Sequence, residues 1–421
     1  MLRFLEAVAS IMRIVDEARL SRELSRYVNS EPRVVASGNF ATPKRLLEIF
    51  DQNVERYRLF VLNAQDPMPS RTGVIHETPF VGPGFRNSGR QLDYLPMRLS
   101  LVPQLFDRSR APDVALIHTS SLIGGRVSLG IEVNIMVAAI ERVRFRGGVV
   151  IAQINRNMPY TFGDGEIDAE LIDYAIEVDQ ELPSPVASTA DEIAQGVGGY
   201  VAEIVGDGAT LQLGIGAIPD AALAALTHRK GLALWSEMFS DGVLALEKKG
   251  ATDQSRPLVA SFLFGSPELY TWVDRNPRVR LFRTEVTNDP VRIAEHHQMT
   301  AINTAIQVDL FAQANANHVK GKIYSGFGGQ TDFTVGALHS KGGHAVIALG
   351  SWHPKSDTST IVGCIDGPVT SFQHSALVTE WGSAHILGRS QRAQARLIIE
   401  NIAHPRAKEE LRQKAVHLGL T

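Results

Sequence analysis

Short apolar runs without polar alternation constrain the fold of this chain most strongly. Strands that are apolar at successive positions are typical of parallel sheets covered by helices on both faces. Helical patterns fall between the runs, so the sequence predicts an α/β fold with mostly parallel sheets. The candidate strands are RVVAS (33–37), RLFVLNA (58–64), DVALIHT (113–119), GVVIAQI (148–154), TLQL (210–213), LALWS (232–236) and AVIALG (345–350).

The chain of 421 residues exceeds one ordinary hydrophobic core and contains a loose internal repeat. In GNFATPKRLLEIF (38–50) and GIGAIPDAALAAL (214–226), glycine, alanine, proline and leucine recur at the same spacing. Each copy follows a short apolar run and opens a helical pattern. We predict two related α/β domains, 1–185 and 186–421, joined within the segment 181–196, where Pro, Ser and Asp cluster.

Charge and cysteine content exclude several classes of protein. A formal net charge of -3 provides no basic field for nucleic acid or an anionic membrane, and no apolar run reaches membrane-spanning length. The single cysteine, Cys364, rules out an intramolecular disulfide, and no Cys/His cluster has zinc spacing. The charged residues in the first 24 positions predict an amphipathic helix and not a secretory signal. We expect a cytoplasmic protein, or an organelle-matrix one, without metal, membrane or nucleic-acid partners.

The stretch LWSEMFSDGV (234–243) places Glu237 directly after a predicted buried strand, where a carboxylate is costly unless it is used or paired. Strand 210–213, a helix from about Pro219 to Gly231 and strand 232–236 form a predicted βαβ unit. Its last helical turn would contain His228, Arg229 and Lys230. The loop GIGAIP (214–219), which we call the glycine loop, follows the first of these strands. Because the strands are parallel, Glu237 and the glycine loop lie at the carboxyl edge, where open α/β sheets bind ligands. From position alone, an ordinary acidic residue that caps the following turn is the simpler interpretation.

Ten stretches, spread almost end to end, together resemble the acetyl-CoA hydrolase/transferase family, the class I CoA-transferases of the 4-hydroxybutyrate and butyryl-CoA:acetate type. Their number and order make the resemblance specific. They are GPGFRNSGRQLDYLPMRLS (82–100), SLGIEVN (128–134), INRNMPYTFGDGEID (154–168), GDGATLQLGIGAIPDA (206–221), SEMFSDGV (236–243), TNDP (287–290), INTAIQVDLFAQANA (302–316), YSGFGGQTDF (324–333), SKGG (340–343) and VTEWGSAHILGRS (378–390).

The resemblance implies a set of site residues. Glu237 would be the nucleophile of ping-pong chemistry through an acyl-glutamyl anhydride and a glutamyl-CoA thioester. The Asn288 amide and a backbone N–H of Gly328 or Gly329, with Gly329 the one we assign to catalysis, would stabilise the oxyanion. CoA would lie along Gln212, Leu213, Gly214, Ile215 and Gly216, near Gly328 and Lys341. Without the resemblance, Asn288 and the glycines are turn residues, and Lys341 is a solvated loop residue.

The resemblance implies a CoA-transferase that moves CoA between an acyl-CoA and a small carboxylate of the acetate, butyrate or 4-hydroxybutyrate class. An acyl-CoA hydrolase with the same glutamate and a non-catalytic CoA-binding protein are the alternatives. Departures from the usual family pattern, such as YTFGD (160–164), leave the acyl and acceptor specificity open. We expect no permanently bound cofactor, CoA and a carboxylic acid as substrates, and a homo-oligomer. GIGAIP does not match a dinucleotide fingerprint, because Pro219 occupies the third glycine position.

Overall fold

The computed structural model of the protein describes residues 12–27, 30–185, 191–369 and 373–421. The α/β fold class is confirmed. The chain divides into two compact units. The described residues of the first are 12–27, 30–95, 101–184 and 266–284, and those of the second are 96–100, 185, 191–265, 285–369 and 373–421. The predicted domains 1–185 and 186–421 remain predictions, because two short segments cross over between the halves of the chain. Among the described residues, no helix combines the length and apolarity needed to cross a membrane.

The sheet of the first unit has eight strands, and all neighbouring pairs are parallel. The strands Val114–Thr119 and Val149–Asn155 are buried at every position, as their unbroken apolar runs predict. In spatial order the strands are Arg13–Ile14, Tyr174–Val178, Val149–Asn155, Val114–Thr119, Arg33–Ala36, Tyr57–Val61, Val74–Thr78 and Leu92–Tyr94. The α-helices of this unit are Glu17–Leu24, Lys44–Asn53, Pro103–Asp107, Met136–Phe145 and Pro267–Val273. A separate antiparallel ribbon pairs Arg126–Ser128 with Glu166–Asp168, and Phe162–Gly163 pairs in parallel with Val279–Leu281.

The main sheet of the second unit is parallel along most of its length. Ala376–Thr379 and Gly382–His385 are antiparallel at one end, and the short strand Met238–Phe239 pairs antiparallel with the end of Thr210–Leu213. Its order is Gly382–His385, Ala376–Thr379, His344–Ala348, Met299–Asn303, Thr210–Leu213, Ala233–Trp235 and Leu258–Ala260. The α-helices are Glu192–Ile204, Ala217–Ala225, Asp241–Lys248, Pro290–Ala294, Gln330–His339, Gln391–Leu397 and Lys408–His417, with a π-helix at Ile398–Ile402. The short strands are Met238–Phe239, Phe262–Leu263, Gln307–Asp309, Ala314–Asn315, His318–Val319, Lys322–Ile323, Trp352–His353, Thr358–Ser359 and Ile361–Val362. The short helix Thr284–Thr287 takes the chain from the first unit into the second.

One buried cluster packs the helix Gln330–His339 against the main sheet of the second unit. Phe333 and Ala337 of this helix pack with Met299, Ala301 and Ala345 of two adjacent parallel strands. The C-terminal end of the helix lies beside the start of strand Met299–Asn303, because the Met299 backbone N–H donates to the Ser340 hydroxyl oxygen at 3.0 Å. The helix therefore runs antiparallel to this strand and to its parallel neighbour His344–Ala348. Its first residue therefore lies at the carboxyl edge of the sheet, and its last residue lies at the amino edge.

The predicted βαβ unit is present, with Thr210–Leu213 and Ala233–Trp235 paired in parallel. The predicted extent of its helix is wrong at the C-terminal end, because the helix spans Ala217–Ala225. The Thr227 hydroxyl donates to the carbonyl of Ala224, and a His228 ring nitrogen lies 2.9 Å from the carbonyl oxygen of Ala225. These side chains satisfy the terminal carbonyls, so His228, Arg229 and Lys230 follow the helix and are not part of it.

Among the described residues, the predicted N-terminal amphipathic helix is present only over Glu17–Leu24. The helix begins at Glu17, where the Asp16 side chain caps the backbone N–H of Arg19 at 2.7 Å. Arg13–Ile14 is instead an edge strand, paired with Tyr174 and Ala175. Residues 1–11 of the predicted helix lie outside the described residues.

Candidate active site

Backbone pairing on two sides fixes the position of Glu237. Its carbonyl oxygen accepts hydrogen bonds from the backbone N–H of Ser261, at 2.8 Å, and of Phe262, at 3.1 Å. The next residue, Met238, pairs antiparallel with Leu213. Glu237 thus lies at the carboxyl edge of the sheet, beside the end of strand Thr210–Leu213, as the βαβ geometry predicts.

Two neutral donors hold the Glu237 carboxylate. The Asn288 side-chain nitrogen Nδ2 donates to Glu237 Oε2 at 3.3 Å, and the backbone N–H of Gly329 also donates to the carboxylate. Gly329 precedes the helix Gln330–His339, and Asn288 follows the short helix Thr284–Thr287. A Cβ atom on Gly329 would overlap both Glu237 Oε2 and Asn288 Nδ2. The absence of a side chain at position 329 is therefore what lets the three groups meet.

Burial sets the proton affinity of the site. The pKa of Glu237 is raised to about 7, mainly by burial; the hydrogen bonds from Asn288 and Gly329 oppose this rise, and the nearby Asp332 carboxylate adds to it. Burial also raises the pKa of Asp332 to about 6, and hydrogen bonds from Ser100 oppose that shift. Glu237 is therefore a carboxylate that ionises near neutral pH, which suits a nucleophile or a general base.

Asp332 is a site residue that the sequence analysis missed. It is fully buried, and its carboxylate accepts from the backbone N–H of Ser100 at 3.0 Å and from the Ser100 hydroxyl at 2.7 Å. Arg98 Nε lies 3.6 Å from the same carboxylate. Asp332 follows Gly329 by three residues in GFGGQTDF, so its place in the first turn of that helix is the one available signal. No sequence signal connects it to Ser100, which is 232 residues away.

The predicted CoA-binding loop is open. A Cβ atom added at Gly214 or Gly216 would meet no heavy atom within 4 Å, and Ile215 is 40% exposed. Gly216 has φ +119°, a conformation that L side chains rarely adopt. Before the loop, Leu213 and Gln212 are buried, and Gln212 exchanges amide hydrogen bonds with Asn303 at 3.1 and 3.4 Å. The loop leaves room for a ligand, and its backbone geometry requires glycine at position 216.

The structure brings Gly328 but not Lys341 to the Glu237 edge. Gly328 adjoins Gly329 at the start of the helix, with φ +53°. Lys341 lies in the turn after the same helix, and its carbonyl accepts from the backbone N–H of Gln298 just before strand Met299–Asn303. A helix of ten residues is about 15 Å long. The lysine is therefore at the amino edge, and we leave it out of the site proposed below.

Two domain matches cover most of the chain. Residues 64–188 match the acetyl-CoA hydrolase/transferase N-terminal domain, and residues 265–415 match the C-terminal domain of the same family. The 4-hydroxybutyrate coenzyme A transferase of Clostridium kluyveri is 40% identical over 351 residues, which are 80% of each chain. The chain belongs to the acetyl-CoA hydrolase/transferase family. This membership confirms the predicted family and the predicted kind of enzyme, one that acts on CoA thioesters.

Two further relatives match over more of the chain. The succinyl-CoA:acetate/propanoyl-CoA:succinate CoA transferase of Fasciola hepatica is 34% identical over 413 residues, 92% of this chain and 85% of that protein. The crystal structure of RipA from Yersinia pestis superposes with a TM-score of 0.88 at 25% identity, and the match covers 97% of this chain and 98% of RipA. The family fold therefore extends over nearly the whole chain, including the residues between the two domain matches.

Proposed function

We propose that this enzyme moves CoA between an acyl-CoA and a small carboxylate, by ping-pong chemistry through a glutamyl-CoA thioester on Glu237. The observation that carries the proposal is the Glu237 carboxylate, held by the neutral donors Asn288 and Gly329 at the ligand-binding edge of the sheet. Cations would stabilise the ionised carboxylate and weaken it as a nucleophile, whereas two amide N–H groups orient it and leave it reactive.

The first half-reaction transfers CoA to the enzyme. The ionised Glu237 carboxylate attacks the thioester carbonyl carbon, the C–S bond breaks, and CoA thiolate leaves. The thiolate then attacks the side-chain carbonyl carbon of Glu237 in the acyl-glutamyl anhydride. The bond between this carbon and the bridging oxygen breaks, the original acyl group leaves with that oxygen as a free carboxylate, and CoA remains bound to Glu237 as a thioester.

The second half-reaction reverses these steps with another carboxylate. The acceptor attacks the glutamyl thioester, CoA thiolate leaves, and the thiolate attacks the acceptor carbonyl of the new anhydride. A new acyl-CoA forms, and the Glu237 carboxylate is restored. In both halves an attack on the Glu237 carbonyl carbon develops negative charge on a side-chain oxygen. Asn288 already contacts Oε2 of that group, so the donors fit a role as an oxyanion hole.

The substrates that we propose are small acids of the acetate, butyrate and 4-hydroxybutyrate class, with the CoA chain along the open loop Gly214–Gly216. The names of the Clostridium and Fasciola relatives, which specify short-chain acids, support this class. CoA is a substrate in this scheme, and no other cofactor takes part. The homo-oligomeric state and the cytoplasmic location stay predictions.

The test is product analysis combined with trapping of the intermediate. Acetyl-CoA or butyryl-CoA is incubated with and without a panel of carboxylates, and the CoA species are separated by chromatography. New acyl-CoA that requires both the acceptor and Glu237 supports a transferase. CoA release that is equally fast without acceptor indicates a hydrolase, and no turnover of any acyl-CoA contradicts an enzyme of this specificity.

Borohydride reduction locates the covalent intermediate. Acyl-CoA without acceptor should accumulate the glutamyl thioester, which borohydride reduces to a primary alcohol. Cleavage after Lys230 and Lys248 releases peptide 231–248, which contains both Glu237 and Glu247. We expect reduction at Glu237 only, so Glu247 is the internal control. An unmodified peptide from an active enzyme would refute the glutamyl-CoA mechanism.

A further inference from the structure

Thr287 and Ser261 form a buried hydroxyl pair behind the amide of Asn288. We propose that the two are positioning residues, which fix the Asn288 amide with its N–H groups toward Glu237. The inference rests on the proposed function, since it assigns a purpose to the orientation of the oxyanion donor. Neither hydroxyl reaches the reacting atoms in this scheme, so both act through Asn288.

The direction of the hydrogen bonds follows from proton counting. The Thr287 hydroxyl donates to the amide oxygen Oδ1 of Asn288 at 2.8 Å. A hydroxyl has one proton to donate, so the contact of 2.5 Å between the Thr287 and Ser261 oxygens requires Ser261 to be the donor. The chain of donation therefore runs from Ser261 to Thr287 to Asn288, and continues from Asn288 Nδ2 to Glu237 Oε2.

The orientation matters because an asparagine amide is nearly symmetric in shape. A half-turn of the amide would put Oδ1 against the Glu237 carboxylate, where two acceptors repel, and would remove one oxyanion donor. The turn would also put the amide nitrogen against the Thr287 hydroxyl, so the hydroxyls of Thr287 and Ser261 would have to reverse their direction of donation in a buried site. Ser261, Thr287 and Asn288 are all completely buried, so bulk water cannot replace a lost partner.

Two other groups restrict the movement of Thr287 and Asn288. The Trp235 indole N–H donates to the backbone carbonyl of Thr287 at 2.9 Å, which ties the residue to the end of strand Ala233–Trp235. The Asn288 amide also acts as a hydrogen-bond donor to Asp332. The amide is thus held at its oxygen by Thr287 and at its nitrogen by two carboxyl groups. Thr287 is the partner at the oxygen end, and its hydrogen bond reinforces the orientation that the two carboxyl groups favour.

The variant Thr287→Val removes the hydroxyl at nearly constant shape. We expect kcat for CoA transfer to fall about 10- to 100-fold, less than the loss of a whole oxyanion donor, with KM for acyl-CoA within about twofold. Thr287→Ser should restore most of kcat, because it returns the donor. Ser261→Ala should lower kcat by a smaller factor, because Thr287 can still donate to Asn288.

A matched control separates positioning from lost stability. Thr379, in the same unit, is equally buried, and its hydroxyl donates to the backbone carbonyl of Ile402 at 2.7 Å. Thr379→Val should lower the melting temperature to a similar degree as Thr287→Val while leaving kcat unchanged. An unchanged kcat in Thr287→Val, or a Thr287→Ser variant as slow as Thr287→Val, would overturn the inference.

Titration of Glu237 gives a readout that does not depend on turnover. Asn288 lowers the pKa of Glu237, so a misoriented amide should raise that pKa in Thr287→Val. Carboxyl NMR of protein labelled with ¹³C-glutamate, with the Glu237 signal assigned from its loss in Glu237→Gln, measures the shift. Asp332 is the other charged group near Glu237, and it is the same in both proteins. An unshifted titration refutes the inference even in an active transferase. A shifted titration supports it even if no acyl-CoA is turned over and the proposed function fails.

Discussion

Glu77 in the first unit and Glu237 in the second are acidic residues of two parallel sheets, with opposite surroundings. Glu77 is completely buried on strand Val74–Thr78, and its carboxylate pairs with Arg33 at 2.8 Å, Arg58 at 3.4 Å and Arg110 at 3.6 Å. Glu237 has amide donors and a second carboxyl group, and within the part of the chain that the structure describes it forms no ion pair. Cations make a buried carboxylate structural, and neutral donors keep it reactive.

Reactivity at Glu237 opposes stability. The pKa of Glu237 in the folded protein is about 7, above its ordinary value, so the folded state binds this proton more tightly than the unfolded state. The stabilisation of the folded state by this proton is fully present below the pKa that Glu237 has in the unfolded state, and it is lost as the pH rises through 7. At the pH where Glu237 is ionised and can attack a thioester, its charge destabilises the fold.

The largest expected effect concerns activity. Glu237→Gln should reduce CoA transfer at least about 10³-fold, because an amide cannot form the anhydride. Glu77→Gln should leave kcat per folded molecule within about twofold, since its partners are structural arginines. Steady-state rates normalised to folded protein check both variants. An equal loss of activity in the two variants would contradict the different roles that we assign to Glu77 and Glu237.

Gly329→Ala is expected to have the next largest effect. Its Cβ would overlap the Glu237 carboxylate and the Asn288 amide, so the donors must separate, and we expect a loss of about 10²- to 10³-fold in kcat. Gly199→Ala is the control, because a Cβ on this helical glycine meets nothing within 4 Å. Gly199→Ala should keep full activity. Equal activity of both alanine variants would show that the contact at Gly329 is not needed.

The two glutamates should respond in opposite directions when stability is measured. Glu77→Gln should destabilise the fold by about 2 kcal/mol, less than a fully buried pair because the arginines are partly exposed. Glu237→Gln should stabilise it at pH 8 by about 3 kcal/mol, and the difference should vanish near pH 4. Melting temperatures of both variants at several pH values measure this. A Glu237→Gln variant that melts below the parent protein at pH 8 would contradict a costly charge at this position.

The parts of the site that the sequence predicts are local. Glu237 and the glycine loop follow adjacent strands of one βαβ unit, so strand direction alone brings them to the same edge. The contact of Ser100 with Asp332 joins distant parts of the chain through tertiary packing, which no spacing encodes. The pair of Thr287 and Ser261 escapes sequence analysis for the same reason, because serine and threonine near turns have many ordinary explanations.

The incorrect or unsupported predictions have equally specific causes. The sequence pattern extends the helix after the glycine loop over His228 to Lys230, because basic residues and a glycine also mark a helix end. The carbonyl contacts of Thr227 and His228 end that helix earlier. The motif around Lys341 does not show that the helix Gln330–His339 separates this lysine from Gly329 and carries it to the opposite edge of the sheet. The family resemblance supplies the roles, and the strand and helix directions decide which residues can share the site.

The smallest expected effect is a pH shift that isolates the second carboxyl group beside Glu237. The parent enzyme should show kcat/KM rising with pH to a plateau above pH 7, since the nucleophile must be ionised. Asp332→Asn removes a charge that raises the pKa of Glu237, so the rise should move to lower pH by about one unit or less. Asp309→Asn is the matched control, because Asp309 is a buried carboxylate of the same unit held by the backbone N–H of Phe311 and Gln313. If Asp332→Asn leaves the midpoint where Asp309→Asn leaves it, the Asp332 charge does not raise the pKa of Glu237, and burial and the two amide donors set it. The different surroundings of Glu77 and Glu237 would then matter only through the arginines that Glu77 has and Glu237 lacks among the described residues.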